Sequence, residues 1–206
     1  MIRTRAALFR RSAPPFGKVL LPVTCAALLL ALIIHISTPS PAPEAPPELS
    51  REALAFGPEG LRPHESDVPF SGYMLSHYPD GTLRSRSQVV DGLLHGISEG
   101  WYPDGTLETR ERFRHGISHG TRLRWYPDGQ LASRAEIRSG QMHGVFQRWH
   151  ECGAVAQIIH MHEGLPHGLS KAYFPSGFLQ ARVEMEHGTV VNHEYWDDRR
   201  MREPDL

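Results

Sequence analysis

The stretch Trp101-Tyr102-Pro103-Asp104-Gly105-Thr106-Leu107 returns 24 residues later as Trp125-Tyr126-Pro127-Asp128-Gly129-Gln130-Leu131. Tyr78-Pro79-Asp80-Gly81 stands 24 residues before Tyr102-Pro103-Asp104-Gly105. Counting onward by the same interval reaches two degenerate copies, His150-Glu151-Cys152-Gly153 and Phe174-Pro175-Ser176-Gly177. Two further glycine columns keep this phase. Gly72, Gly96, Gly120, Gly144 and Gly168 form one, and Gly92, Gly116, Gly140, Gly164 and Gly188 the other. A period held without drift over five copies identifies a repeat architecture, in which each unit is one supersecondary element.

The turn chemistry says which element. Pro presets φ near −65°, Asp tolerates the next turn position, and Gly supplies the left-handed conformation after it. That is the order of a three-residue hairpin loop, a type I turn closed by a glycine bulge. The structural turn residues are therefore Gly81, Gly105, Gly129, Gly153 and Gly177. A second turn at Asp91-Gly92 and its equivalents hands the chain to the next hairpin. With Gly72 as position one, simple alternation puts all even positions on one face. That face collects His77, Trp101, Trp125, Trp149 and Tyr173, the leucine column from Leu83, and Val89, Phe113 and Ile137. The odd face carries Arg86, Arg110, Arg134 and Arg182. The fold class expected is all-β, an elongated single-layer antiparallel sheet of tandem β-hairpins preceded by an N-terminal transmembrane helix. One hairpin cannot bury its own apolar side, so stability must come from stacked neighbours. Ten strands spaced about 4.8 Å apart give a strip on the order of 50 Å.

Outside the repeats the chain changes character. Residues 1–18 form a basic tail, and 19–36 (VLLPVTCAALLLALIIHI) an uncharged run just long enough to span a bilayer. Arg3, Arg5, Arg10, Arg11 and Lys18 precede it, so the positive-inside rule places the N-terminus in the cytoplasm and the repeats outside. The rival reading is a cleaved signal peptide, which would leave the repeats secreted. Five prolines between Pro39 and Pro47 make residues 37–47 a semi-rigid spacer. Residues 48–71 read as a capping segment, a short helix followed by a strand. Residues 72–191 are the five repeats, and 192–206 a C-terminal cap or tail.

Charge and motifs narrow the function. Beyond residue 38 the remaining 17 basic residues face all 23 acidic ones, a net of −6. This is the wrong sign for a phosphate backbone, so no nucleic-acid partner is expected. Cys25 and Cys152 are the two cysteines and offer no disulfide framework. His95, His119, His143 and His167 form a column, but equivalent positions of adjacent hairpins lie about 10 Å apart. Zinc ligands sit about 2.1 Å from their ion, so neighbours in that column cannot share one. No nucleophile elbow, zinc-protease helix or phosphate loop is present in the sequence. No catalytic, cofactor or metal residue is predicted. The stripe Trp101, Trp125, Trp149 and Tyr173 is the candidate interaction face, with packing as its competing role.

The in-phase copies Trp101–Leu107 and Trp125–Leu131, with His77–Leu83 close behind, resemble the MORN repeat family in its bacterial variant form. The lead-in Pro69-Phe70-Ser71-Gly72 is similar to the opening of such arrays, and the fourth copy departs most, at Glu151 and Cys152. The resemblance implies a non-catalytic strip that contacts proteins or lipid; some relatives carry an antitoxin label. The function expected is a membrane-anchored scaffold for a protein partner outside the cytoplasm. Its alternatives are a lipid-surface module and an antitoxin-like inhibitor.

Overall fold

The computed structural model describes residues 45–198. The tail at 1–18 and the proposed span at 19–36 lie outside them, as do 37–44 of the spacer and 199–206. Among the described residues no helix is long and apolar enough to cross a membrane.

Each Tyr-Pro-Asp-Gly loop closes with the same two backbone bonds. The Tyr78 amide donates to the Thr82 carbonyl at 2.8 Å, and the Gly81 amide to the Tyr78 carbonyl at 2.9 Å, with Gly81 at φ 87°. The Asp80 carboxylate accepts from the Thr82 hydroxyl at 2.7 Å and from its amide at 2.9 Å, and these bonds hold it below the usual carboxylate range. The fourth copy lacks Pro and Asp yet makes the same closure, His150 amide to Ala154 carbonyl and Gly153 amide to His150 carbonyl, each 2.8 Å. Glycine and strand pairing therefore set this loop, and Pro-Asp reinforces it. At the opposite ends, Asp91, His115, Ser139, Glu163 and His187 take φ of 47–51°, and the glycine after each takes 76–83°. Two successive left-handed residues make a type I′ turn, whose twist matches the strands it joins.

These turns generate one long, mostly antiparallel sheet. Its lead strands are β1 (Glu48–Ser50) and, after the small β2 (Leu54–Gly57) and β3 (Gly60–Pro63) hairpin, β4 (Gly72–His77) and β5 (Leu83–Val90). Next come β6 (Leu93–Trp101), β7 (Leu107–Arg114), β8 (Ile117–Ser118), β9 (Gly120–Trp125) and β10 (Leu131–Arg138). They continue through β11 (Gln141–Met142), β12 (Gly144–Trp149), β13 (Val155–His162), β14 (Leu165–Pro166) and β15 (Gly168–Tyr173). The sheet ends with β16 (Leu179–Glu186) and β17 (Thr189–Tyr195). From β4 onward, sequence order is spatial order. The short β8, β11 and β14 are the leading ends of the strands after them, interrupted where Gly120, Gly144 and Gly168 turn left-handed. The main path holds twelve strands among the described residues: the ten expected of the five repeats, from β4 to β16, with β1 parallel to β4 at one end and β17 at the other.

The face assignment needs correction. Trp101 pairs with Leu107, but the next pair is Gly100 with Thr109, so Glu108 is an extra residue in the second strand. The same register shift recurs beside His77, Trp125, Trp149 and Tyr173. One inserted residue inverts the parity of everything beyond it. Val89, Phe113 and Ile137 therefore share a face with the first-strand positions Gly72, Gly96 and Gly120, not with the tryptophans. That face holds the buried Ser87, Val89, Ala135, Ile137, Ser170 and Ala181 and is called the packed face here. The tryptophan stripe instead shares the outer face with the arginine column, through the row Glu99, Arg110, Leu123, Arg134 and Gln147.

Packing is densest at the start of the array. Leu54, Leu61, Phe70 and Val89 form a buried cluster, with Leu49, Met74 and Leu94 against it. The Tyr73 amide reaches the Pro47 carbonyl and the Leu61 amide the Gly92 carbonyl, both at 2.8 Å. The capping segment thus covers the first edge, as strands with one 3-10 turn (Arg51–Ala53) where a short helix was expected. The residues of β17, at the other end, are all exposed.

Successive hairpins are joined by a side chain. Tyr78, Tyr102 and Tyr126 donate their hydroxyls to the carbonyls of Trp101, Trp125 and Trp149 at 2.8, 2.9 and 2.7 Å. His150 replaces tyrosine in the fourth copy, and its Nε2 meets the Tyr173 carbonyl at 2.9 Å, as donor in that tautomer. In the fifth copy Phe174 has no hydroxyl.

Urea denaturation of the full chain tests these contacts. A Cβ added at Gly105 meets no atom within 4 Å, so Gly105→Val carries a purely torsional penalty at φ 85° of about 1–3 kcal/mol. Thr106→Val should cost little, and equal midpoints for the two would contradict the left-handed loop. Tyr102→Phe should cost about 1 kcal/mol. The Tyr102 phenol is held above its ordinary value by burial first and the Glu108 carboxylate second. Its neutral form is the donor, so the wild-type advantage is whole below the ordinary phenol value of about 10. It should shrink only as pH rises through the elevated folded value.

Candidate functional site

Two cross-strand rows on the packed face define an open trough of about 750 Å³ over the second to fourth hairpins. In the first row Thr109, Arg124, Ser133 and Arg148 stand opposite one another on β7, β9, β10 and β12. In the second, Arg122 faces Ala135, with Glu111 and Phe146 on the neighbouring strands. Small residues keep the floor low, and Tyr102, Trp125, Tyr126 and Met142 border it.

The arginines of the trough divide into two kinds. Arg122 is spent internally: its Nε donates to Glu111 Oε1 at 2.8 Å, Nη2 donates to the same oxygen, and the Ser118 hydroxyl donates there too. Arg124 and Arg148 are exposed and have no ion pair or hydrogen bond among the described residues. Among the described residues the trough therefore presents two free guanidinium groups and one unpaired carboxylate, Glu108, on a polar floor with aromatic borders. On the outer face, Arg86, Arg110 and Arg134 pair with Glu48, Glu99 and Glu136 at 3.2, 2.7 and 3.6 Å. Arg86 also lies 3.8 Å over the Tyr73 ring.

The tryptophan-stripe residues, Trp101, Trp125, Trp149 and Tyr173, are all half-buried, and their backbone carbonyls are the inter-repeat acceptors. Trp125 also borders the trough. The turn residues Gly81, Gly105, Gly129, Gly153 and Gly177 take φ of 82–87° at the loop tips. The histidine column meets a second set of histidines from the type I′ turns and strand ends. Ring centroids lie 5.3 Å apart for His95 and His115, 5.1 Å for His143 and His162, and 4.9 Å for His167 and His187. Among the described residues no group of three or more His, Cys, Asp or Glu side chains could hold a metal ion.

Arg124, Arg148 and Phe146 were not among the residues singled out from the sequence. A signal existed: position five of the repeat reads Ser76, Gly100, Arg124, Arg148, Ala172, basic only in the third and fourth copies.

Residues 94–115 and 118–137 match the family model described as MORN repeat variant. MORN repeats are protein- and lipid-interaction repeats. The two matched MORN stretches are the second and third hairpins, which supply three of the four strands under the trough. No curated protein matches the chain.

The Glu111 node gives a test of this geometry. Glu111→Ala strips the acceptor from Arg122 and Ser118 and should cost about 1–3 kcal/mol, the range for bonds to a charged group. Glu99→Ala removes the more exposed Arg110 pair and should cost under about 1 kcal/mol. Urea midpoints of the two variants in the reverse order would contradict the assigned network.

Proposed function

We propose that this chain is a non-catalytic MORN-type scaffold that holds a protein partner in the packed-face trough. In this reading residues 19–36 anchor it in a membrane, residues 37–47 set it off the surface, and the repeats act on the extracytoplasmic side. The observation that carries the proposal is the pair of unengaged guanidinium groups, Arg124 and Arg148, over an aromatic-bordered floor. Unpaired arginine beside aromatic rings is the composition that concentrates binding energy at protein interfaces. The trough is open along its length, which suits a chain segment better than an enclosed small reactant.

The lipid-surface alternative depends on the outer arginine column. Three of its four members already pair with carboxylates, and the net charge beyond residue 38 is −6. Both features oppose attraction to anionic headgroups. An antitoxin-like inhibitor would bind its target through the same trough, so that alternative concerns the consequence of binding and not the surface used.

Ser133 lies between Arg124 and Arg148 in the cross-strand row and lines the trough, so Ser133→Tyr fills it. Gln147→Tyr places the same side chain on the outer face. Affinity purification of the full chain from solubilised membranes should lose its partner with Ser133→Tyr and keep it with Gln147→Tyr. Retention by both variants, or loss by both, would overturn the assignment of the trough.

A further inference from the structure

The spacing of the free charges restricts what the trough accepts, given the reading of it as a partner site. Arg124 and Arg148 occupy one cross-strand row with only Ser133 between them, two strand spacings apart. At about 4.8 Å per strand their backbones lie about 9.6 Å apart along the repeat axis. A bound segment that follows this axis crosses the strands at right angles, so it is not adding a strand at an edge. It must offer anionic groups at that interval on one side.

An ordinary β-strand does not meet this demand. Its side chains return to the same face every second residue, about 6.6–6.8 Å, or every fourth, about 13.2–13.6 Å. An α-helix returns after three or four residues, about 4.5–6 Å of its axis, or after seven, about 10.5 Å, which overshoots the interval. A polyproline II helix has three residues per turn and a 3.1 Å rise, so residues i and i+3 share a side at about 9.3 Å. This conformation makes no internal hydrogen bonds, is largely preformed, and packs on aromatic-lined grooves. Tyr102, Tyr126 and Phe146 provide such a lining.

We propose that the trough binds an acidic polyproline II segment of a protein partner, lying along the repeat axis, with carboxylates at i and i+3 on Arg124 and Arg148. The aromatic borders take the intervening proline-type residues. Arg122, held by Glu111, shapes the floor without contributing free charge. Because binding rests on two exposed guanidinium groups, it weakens as salt screens them.

The test is fluorescence anisotropy with the full chain and a labelled peptide of sequence Glu-Pro-Pro-Glu-Pro-Pro-Glu. Two comparison peptides replace Glu by Gln or respace the acids to i and i+2. The i,i+3 peptide should bind at least tenfold tighter than either. Arg124→Gln and Arg148→Gln should each weaken it about tenfold, a change of 1.4 kcal/mol. Arg182→Gln, in the outer column, should leave it unchanged. Equal affinity for the three peptides, no binding by any, or indifference to both trough arginines overturns the proposal. Sedimentation with phosphatidylserine vesicles that depends on Arg124 and Arg148 also overturns it, in favour of a lipid ligand. If the peptides fail while Ser133→Tyr still selectively removes the partner, only the ligand class falls. If the partner also survives Ser133→Tyr, the trough reading falls with it.

Discussion

The bond from each loop tyrosine to the tryptophan carbonyl one repeat onward sets the relation between neighbouring hairpins. A two-stranded hairpin is marginal alone, because half of its surface has nothing to pack against. The sheet must therefore be made cooperative across the turns. Strand pairing does most of this, and the hydroxyls of Tyr78, Tyr102 and Tyr126 add a tie between loop tips. His150 makes the same tie from a ring nitrogen, so the position does not need tyrosine itself. Strand pairing also sets the spacing of side chains along the repeat axis, on which the Arg124 and Arg148 separation depends.

The two ends of the sheet are treated differently. At the start, β1 and the β2–β3 hairpin pair with and cover the first edge, and the best-buried apolar residues gather there. Further along, buried positions other than Ile137 are small, such as Ala135 and Ser170, because among the described residues no second layer stands over the packed face. The array draws its order from backbone pairing more than from a large core. That is why left-handed glycines recur in every unit and bulky core residues do not. It also leaves open, on the same face, a surface that would be buried in a two-layered protein.

The sequence was most legible where local chemistry decides the conformation. Gly105 and Gly129 follow Pro-Asp in a spacing that few loops satisfy, and the 24-residue phase gave the hairpin unit and its count. It was least legible at Glu108 and its equivalents. Nothing in Leu107-Glu108-Thr109 marks Glu108 as the extra residue of a bulge, because the insertion belongs to a pair of strands and not to one. Strict alternation then put Trp101 and Phe113 on one side, and the structure puts them on opposite sides.

By itself the sequence determined the repeating unit, its two turns and the all-β character, since each follows from residues close together in the chain. It also showed a basic N-terminal run, an uncharged segment and a proline-rich stretch, whose roles are outside what the described residues speak to. Only the tertiary structure decided which arginines are spent and which are free. Arg110 and Arg122 find carboxylates 11 residues away, while Arg124 and Arg148 find none. That distinction depends on which strands lie side by side and in what register. Register is a property of the assembled sheet, where one bulge is enough to change the neighbours of every side chain beyond it.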